Sequence, residues 1–95
     1  MGTFLRATPA LVAVARSLLR ASPGDTWGLA VCTESGRPSG TVYPLLERLE
    51  RYGLLDSRWE SDDVERRGPR RRLYRLTDEG LSWARGVTER QGKKP

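Results

Sequence analysis

The chain has 95 residues and a formal net charge of +5, which suits one small domain with a modest core and favours a polyanionic partner. It contains no histidine and a single cysteine, which excludes a histidine general base, a Cys/His zinc site and an internal disulfide. The sequence has no P-loop and no GxGxxG motif, so we expect no enzyme, no cofactor and no bound metal. The lack of a long apolar run and of a signal peptide, with the single cysteine, favours a cytoplasmic protein.

The first predicted helix spans residues 8–21, with Thr8 as its N-cap. Leu11, Val12 and Leu19 belong to an apolar stripe on this helix that is wide enough to face more than one neighbour. Two interpretations stay open at this point. Either the helix is simply buried in the core of the domain, or part of it meets a second subunit.

The second predicted helix spans residues 25–34. Asp25 or Thr26 is its expected cap, and Trp27 is expected to be a core anchor rather than a platform for a ligand. The polar segment 34–38, which contains Gly36 and Pro38, ends this helix before the next one begins.

The helix predicted over residues 39–52 is the centre of the sequence. Its apolar positions recur at three- and four-residue steps, and they are Val42, Leu45, Leu46, Leu49 and Tyr52. Ser39 is the predicted N-cap, and Gly36 with Pro38 forms a tight turn in front of it. Because helix, glycine-containing turn and helix make a helix-turn-helix, we interpret this segment as a recognition helix.

The polar side of this helix carries the candidate DNA-binding groups. Gly40 allows a close approach of the backbone, and the helix start favours a phosphate. The side chains of Thr41 and Tyr43 can bond to phosphate or to a base edge, and Arg48 reaches phosphate or guanine. Pro44 lies so near the helix start that it removes at most one hydrogen bond.

A β-hairpin wing is predicted over residues 54–76. Leu55, Ser57 and Trp59 alternate with polar residues, a polar loop follows, and a second alternating run returns. Arginines crowd the loop and the second strand, and the fork of the arginine side chain suits phosphate. Acidic residues in the segment 62–65 reduce this charge if they fold back on the arginines.

The last predicted helix spans residues 77–91 and has Thr77 as its cap. Its apolar stripe is narrow, so we expect it to pack on the first helix or on a partner chain. The fold predicted for residues 1–95 is therefore one domain, mainly α with a β-hairpin wing: a winged helix-turn-helix with an extra C-terminal helix.

Two segments resemble the PadR-like family of transcriptional regulators. They are SGTVYPLLERLERYGLL, residues 39–55, and GPRRRLYRLTDEG, residues 68–80. The resemblance implies a winged-helix repressor that binds a palindromic operator in double-stranded DNA as a homodimer. It also implies that Ser39, Thr41, Tyr43 and Pro44 lie at or near DNA, and that the helix after the wing joins the subunits.

These arguments give three sets of candidate residues. The DNA-binding set comprises Arg37, Ser39, Gly40, Thr41, Tyr43, Pro44, Arg48, Arg66, Arg67, Arg70 and Arg71. The dimer-interface set comprises Leu11, Val12, Leu19, Leu81, Ala84 and Val87. Because some family members bind aromatic drugs between interface tryptophans, Trp83 is a candidate for a small-molecule effector site, with a packing role as the alternative.

The function predicted from the sequence is a sequence-specific DNA-binding transcriptional regulator, a dimeric repressor. Two alternatives use the same fold. One is a protein-interaction module, which the acidic segment 62–65 favours. The other is a plasmid or phage accessory protein that binds DNA during replication or partition, through the same surface as a repressor.

Overall fold

The computed structural model describes residues 5–61 and 68–92 of the chain. In chain order its elements are α1 (Pro9–Ala21), β1 (Thr26–Trp27), α2 (Gly28–Ser35), α3 (Ser39–Arg51), β2 (Leu55–Trp59), β3 (Arg72–Leu76) and α4 (Asp78–Gly92). Three helices, a β-hairpin and a further helix follow one another, which confirms the predicted winged helix-turn-helix with an extra C-terminal helix.

The core lies between α1, α3 and α4 and the inner face of the sheet. Leu18 of α1, Leu46 and Leu49 of α3, and Leu55 of β2 are fully buried in one cluster. The stripe predicted on the central helix therefore faces inward, as its three- and four-residue spacing requires. At the start of α1, the Leu11 amide donates to the Thr8 hydroxyl at 3.1 Å, which confirms Thr8 as the cap.

The start of the second helix was predicted wrongly. Thr26 and Trp27 form the short strand β1, which pairs antiparallel with Tyr74 and Leu73 of β3. Helix α2 begins only at Gly28, so neither Asp25 nor Thr26 caps it. Hydrogen bonding to a strand far along the chain holds this backbone extended, and no local pattern indicates such a partner.

The turn between α2 and α3 has the predicted geometry. Gly36 ends α2 in the left-handed region with a φ of 71°, and its amide donates to the Cys32 carbonyl at 2.9 Å. Glycine accepts this conformation without the strain that a Cβ would bring. Helices α2 and α3 thus form the helix-turn-helix.

The three strands form one antiparallel sheet in the order β1-β3-β2. In the hairpin Leu55 pairs with Leu76 and Ser57 pairs with Tyr74, so these side chains share one face. Leu55, Tyr74 and Leu76 are buried, as the alternation requires, whereas Trp59 at the far end of β2 is 56% exposed. The hairpin is the wing.

Helix α4 begins against the end of α3. The Thr77 hydroxyl accepts from the Gly80 amide at 2.9 Å and donates to the Gly53 carbonyl at 2.8 Å, which confirms Thr77 as the cap. The Thr77 amide donates to the Leu54 carbonyl at 3.1 Å. At Gly80 a Cβ would lie only 1.8 Å from the Leu54 oxygen, so only glycine fits here.

Most of the residues predicted to join two subunits lie inside the single chain instead. Leu11, Val12, Ala84 and Val87 are buried within the single chain. These four side chains present no surface to a second subunit. For Leu11 and Val12, the interpretation of α1 as a helix buried in the core is therefore the better one. Leu19 and Leu81 are half-buried and pack against the core. Among the described residues no helix is long and apolar enough to cross a membrane.

Candidate nucleic-acid interface

The outward side of α3 is defined by its buried stripe. At about 100° per residue, Gly40, Pro44, Glu47 and Arg51 lie opposite Val42, Leu46 and Leu49. All four are exposed. Tyr43 and Arg48 are exposed on the two flanks, and Thr41 is half-buried beside Arg48. The structure therefore brings Gly40, Tyr43, Pro44 and Arg48 of the predicted set onto one surface.

The start of α3 differs from the prediction. Pro38 is the N-cap, with φ −73° and ψ 160°, and no side chain caps the helix. The amides of Thr41 and Val42 donate to the Pro38 carbonyl at 2.9 and 3.0 Å. Ser39, predicted as the cap, is instead the exposed first residue of the helix. A helix start without a side-chain cap leaves amide donors for an anion, where the helix dipole also favours negative charge.

Arg37 lies in the turn just before this helix start. Its amide donates to the Cys32 carbonyl at 3.2 Å and to the Ser35 hydroxyl at 3.3 Å, and the residue is half-buried. Its backbone is therefore fixed by the end of α2.

The ring of Tyr43 packs on the first residue of α2. A Cβ on Gly28 would lie 2.3 Å from the Cε1, Cζ and hydroxyl oxygen of Tyr43, so the contact depends on glycine. Although the ring rests on α2, Tyr43 stays 38% exposed. A tyrosine held in this way has little conformational freedom left to lose on binding.

An open groove of about 410 Å³ separates this tyrosine from the wing. Its lining combines apolar and basic side chains, which are Trp27, Leu29, Tyr43, Pro69, Arg70, Arg71 and Arg72, with the backbone of Gly28. Leu29, which lines this groove, is 63% exposed. The groove thus joins the outward side of α3 to the arginines of β3 and the residues before it.

Arg71 is fixed in place at the edge of the groove. Its guanidinium lies over the Trp27 ring, 4.2 Å from the centroid, and 3.9 Å from a carboxylate oxygen of Glu60. Trp27 is half-buried and carries this cation on its face. It is therefore a platform for an arginine of the same chain, and it is not among the side chains that pack in or against the hydrophobic core, so the core anchor predicted from the sequence is wrong.

The other described arginines of the wing point to different partners. Arg75 donates to Asp25 at 3.1 Å, and Arg58 pairs with the same carboxylate. Arg72 lies over the Trp59 ring, 5.1 Å from its centroid, and 4.0 Å from Glu50. Arg70 is exposed beside the groove. The predicted contacts Arg66 and Arg67 lie outside the described residues, as does the acidic segment 62–65.

Glu50 and Tyr74 join α3 to the sheet beneath this surface. The Ser57 hydroxyl donates to Glu50 at 2.6 Å. Burial raises the pKa of the Tyr74 hydroxyl, and the negative charge of Glu50 adds to the rise. Tyr74 therefore remains neutral up to strongly alkaline pH.

The DNA-binding set predicted from the sequence leaves out Glu47, Arg51 and Leu29, although all three are exposed on this surface. The helical period of α3 was enough to identify the first two, because they lie directly opposite the leucine stripe. No local signal indicates Leu29, since its exposure depends on where β1 ends. Trp83, the candidate effector residue, is half-buried and packs against the hydrophobic core. Within the described parts of the chain no group of three metal-ligating side chains occurs.

Comparison with known proteins supplies the context for this geometry. The model of the transcriptional regulator PadR-like family matches residues 31–85, which is more than half of the chain. A comparison with curated proteins found no match.

Several solved structures share the fold. A PadR family transcription regulator from Clostridium difficile R20291 has a TM-score of 0.71 at 22% identity, over 87% of this chain and 86% of that one. A padr family transcriptional regulator from Eggerthella lenta DSM 2243 has a TM-score of 0.64 at 32% identity, over 87% and 74%. Sso10a-2, a DNA-binding protein from Sulfolobus solfataricus, has a TM-score of 0.65 at 19% identity, over 84% and 76%.

Proposed function

The chain belongs to the PadR-like family of transcriptional regulators, and we propose that it binds double-stranded DNA through the outward side of α3 and the wing. The observation that carries the proposal is the exposed side of α3, which lies opposite a fully buried stripe and starts at a helix end without a side-chain cap. A helix with these properties fits the major groove, where its first turns meet base edges and phosphates.

The charges around this helix support the same assignment. Arg48 and Arg51 form no ion pair with any described residue, so their charges are available to phosphate or guanine. Across the groove Arg71 is held on Trp27, which orients its guanidinium in advance. A net charge of +5 adds a long-range attraction to a polyanion.

We further propose that the protein is a homodimeric repressor of a palindromic operator. Two copies would place their α3 helices in successive major grooves, with half-sites about 10 bp apart or a multiple of that. Because Leu11, Val12, Ala84 and Val87 are already buried within the single chain, the half-buried Leu19 and Leu81 remain as interface candidates. Binding to genomic DNA would place the protein in the cytoplasm.

The test begins with selection of bound genomic fragments by the wild-type protein. Binding of the selected duplex and of a random duplex is then measured by fluorescence anisotropy for R48A, Y43A and the control R16A. Arg16 is an exposed arginine of α1, far from α3 in sequence. A base contact is worth about 1–3 kcal/mol, so R48A should bind the selected duplex roughly 5- to 140-fold more weakly and lose less on the random one.

Three results would contradict the proposal. Equal losses for R48A and R16A on both duplexes would remove α3 from the interface. No salt-dependent binding of random duplex by the wild type would favour an interaction module that does not use DNA. A monomer at the concentrations where DNA is bound, measured by analytical ultracentrifugation, would refute the dimer.

A further inference from the structure

Glu47 is an acidic residue at the centre of the surface proposed to meet DNA. It lies one turn after Tyr43, next to Arg48, and almost opposite the buried stripe of α3. Its side chain is exposed. Phosphates repel a carboxylate, so its position requires a compensating contact if α3 enters a groove.

Several other carboxylates that the structure describes have partners within the chain. Glu50 accepts from Ser57 at 2.6 Å, Glu60 accepts from the Arg71 amide at 3.1 Å, and Asp25 pairs with Arg75. Glu47 differs from them, since it forms no hydrogen bond or ion pair with any described residue. Arg51, four residues later, is spaced for an ion pair along the helix, but the structure does not form it. The carboxylate is therefore available to a ligand.

The chemistry of the major groove limits what Glu47 can bind. A carboxylate only accepts hydrogen bonds, and the donors on the base edges are the N4 amino group of cytosine and the N6 amino group of adenine. The adenine donor lies beside the N7 acceptor, which repels a carboxylate, whereas cytosine presents no acceptor in the major groove. Guanine N7 and O6 and thymine O4 are acceptors and repel it as well. Cytosine is therefore the base that best compensates this charge.

We propose that Glu47 is a specificity-determining residue that accepts a hydrogen bond from one cytosine amino group in each half-site. The inference rests on the proposed function, because it requires α3 to lie in the major groove. In this role Glu47 lowers affinity for most sequences and restores it where a cytosine is correctly placed. The residue thus acts mainly by rejecting wrong sites.

The experiment compares the sequences that four proteins select from a random duplex library: wild type, E47Q, E47A and E89Q. Glu89 is an exposed glutamate on α4 and serves as the matched control. The wild type and E89Q should select the same motif, with a cytosine at one position of each half-site. A glutamine amide pairs with adenine N6 and N7, so E47Q should prefer adenine there, and E47A should show no preference.

The affinities should change in a matching way. On the wild-type motif E47Q should bind about 5- to 140-fold more weakly, the range expected for one lost base contact. On random duplex both Glu47 variants should bind more tightly than the wild type, because a repulsive charge is gone. Melting curves recorded by circular dichroism show whether each variant is folded.

Each contrary outcome has a distinct meaning. If the wild type selects no motif, the proposed function fails and this inference fails with it. If the wild type selects a motif and E47Q and E47A select the same one, the proposed function stands and the role of Glu47 is refuted. If E47A and E47Q both lose the preference at the cytosine base pair and E47Q gains none for adenine, Glu47 orients a neighbouring side chain and the inference is likewise overturned.

Discussion

Replacing Gly80 with alanine should destabilise the protein, whereas the same change at Gly86 in the same helix should not. The added methyl at residue 80 would lie 1.8 Å from the Leu54 oxygen and 2.8 Å from its carbonyl carbon. Helix α4 or the backbone at Leu54 must then move by more than about 1 Å to restore a normal contact. At Gly86 the nearest atom is the flexible Arg90 Nη1 at 3.4 Å, an ordinary contact.

The size of the effect follows from three contributions. Overpacking costs about 1–3 kcal/mol. Losing the 3.1 Å bond from the Thr77 amide to Leu54 costs about 0.5–1.5 kcal/mol, and alanine returns up to about 1 kcal/mol of helix propensity. We therefore expect G80A to lose about 0.5–4.5 kcal/mol of unfolding free energy, or roughly 2–36 °C in Tm for a domain of this size. G86A should gain up to about 1 kcal/mol.

Urea unfolding followed by tryptophan fluorescence measures both variants under identical conditions, and equal m-values would show that the comparison is sound. If G80A is as stable as G86A, α4 does not approach the end of α3 as closely as described.

Two further predictions concern Thr77 and Tyr74. T77A removes the acceptor for the Gly80 amide and should lower the free energy of unfolding by about 1 kcal/mol. T77S keeps the hydroxyl and should stay within about 0.5 kcal/mol of wild type. Equal unfolding midpoints for T77A and T77S would contradict the role of Thr77 as the cap. Because burial raises the pKa of Tyr74, its contribution to stability is complete below about pH 10 and is lost as the pH rises from there through the folded pKa. Y74F should lessen that alkaline loss by up to about 1.4 kcal/mol per pH unit, and parallel loss in both proteins, followed by circular dichroism, would exclude Tyr74 as its source.

The features predicted correctly from the sequence have short-range causes. The cap at Thr8, the leucine stripe of α3, the left-handed Gly36 and the alternation of the hairpin each depend on residues within one or two turns of each other. Local geometry decides such features, so the helix-turn-helix and the wing were predictable.

Most of the missed features depend on partners far along the chain, although the cap of α3 at Pro38 instead of Ser39 is a local miss. Asp25 was expected to cap a helix, but it pairs with Arg75, fifty residues later. Strand β1 exists because Thr26 meets Tyr74, and Gly80 is required by a carbonyl at Leu54. The candidate site shows the same division. The exposed side of α3 is predictable from the helical spacing of its buried residues, whereas the groove between α3 and the wing depends on the pairing of β1 with β3.

Thr77 connects the start of α4 to the end of α3, the helix that we propose binds DNA. Through its hydroxyl and its amide it is bonded to the carbonyls of Gly53 and Leu54, the residues just beyond the end of α3. A force that tilts α4 would therefore either break this junction or rotate α3 with it. The orientations of α3 and α4 are thus coupled directly through Thr77.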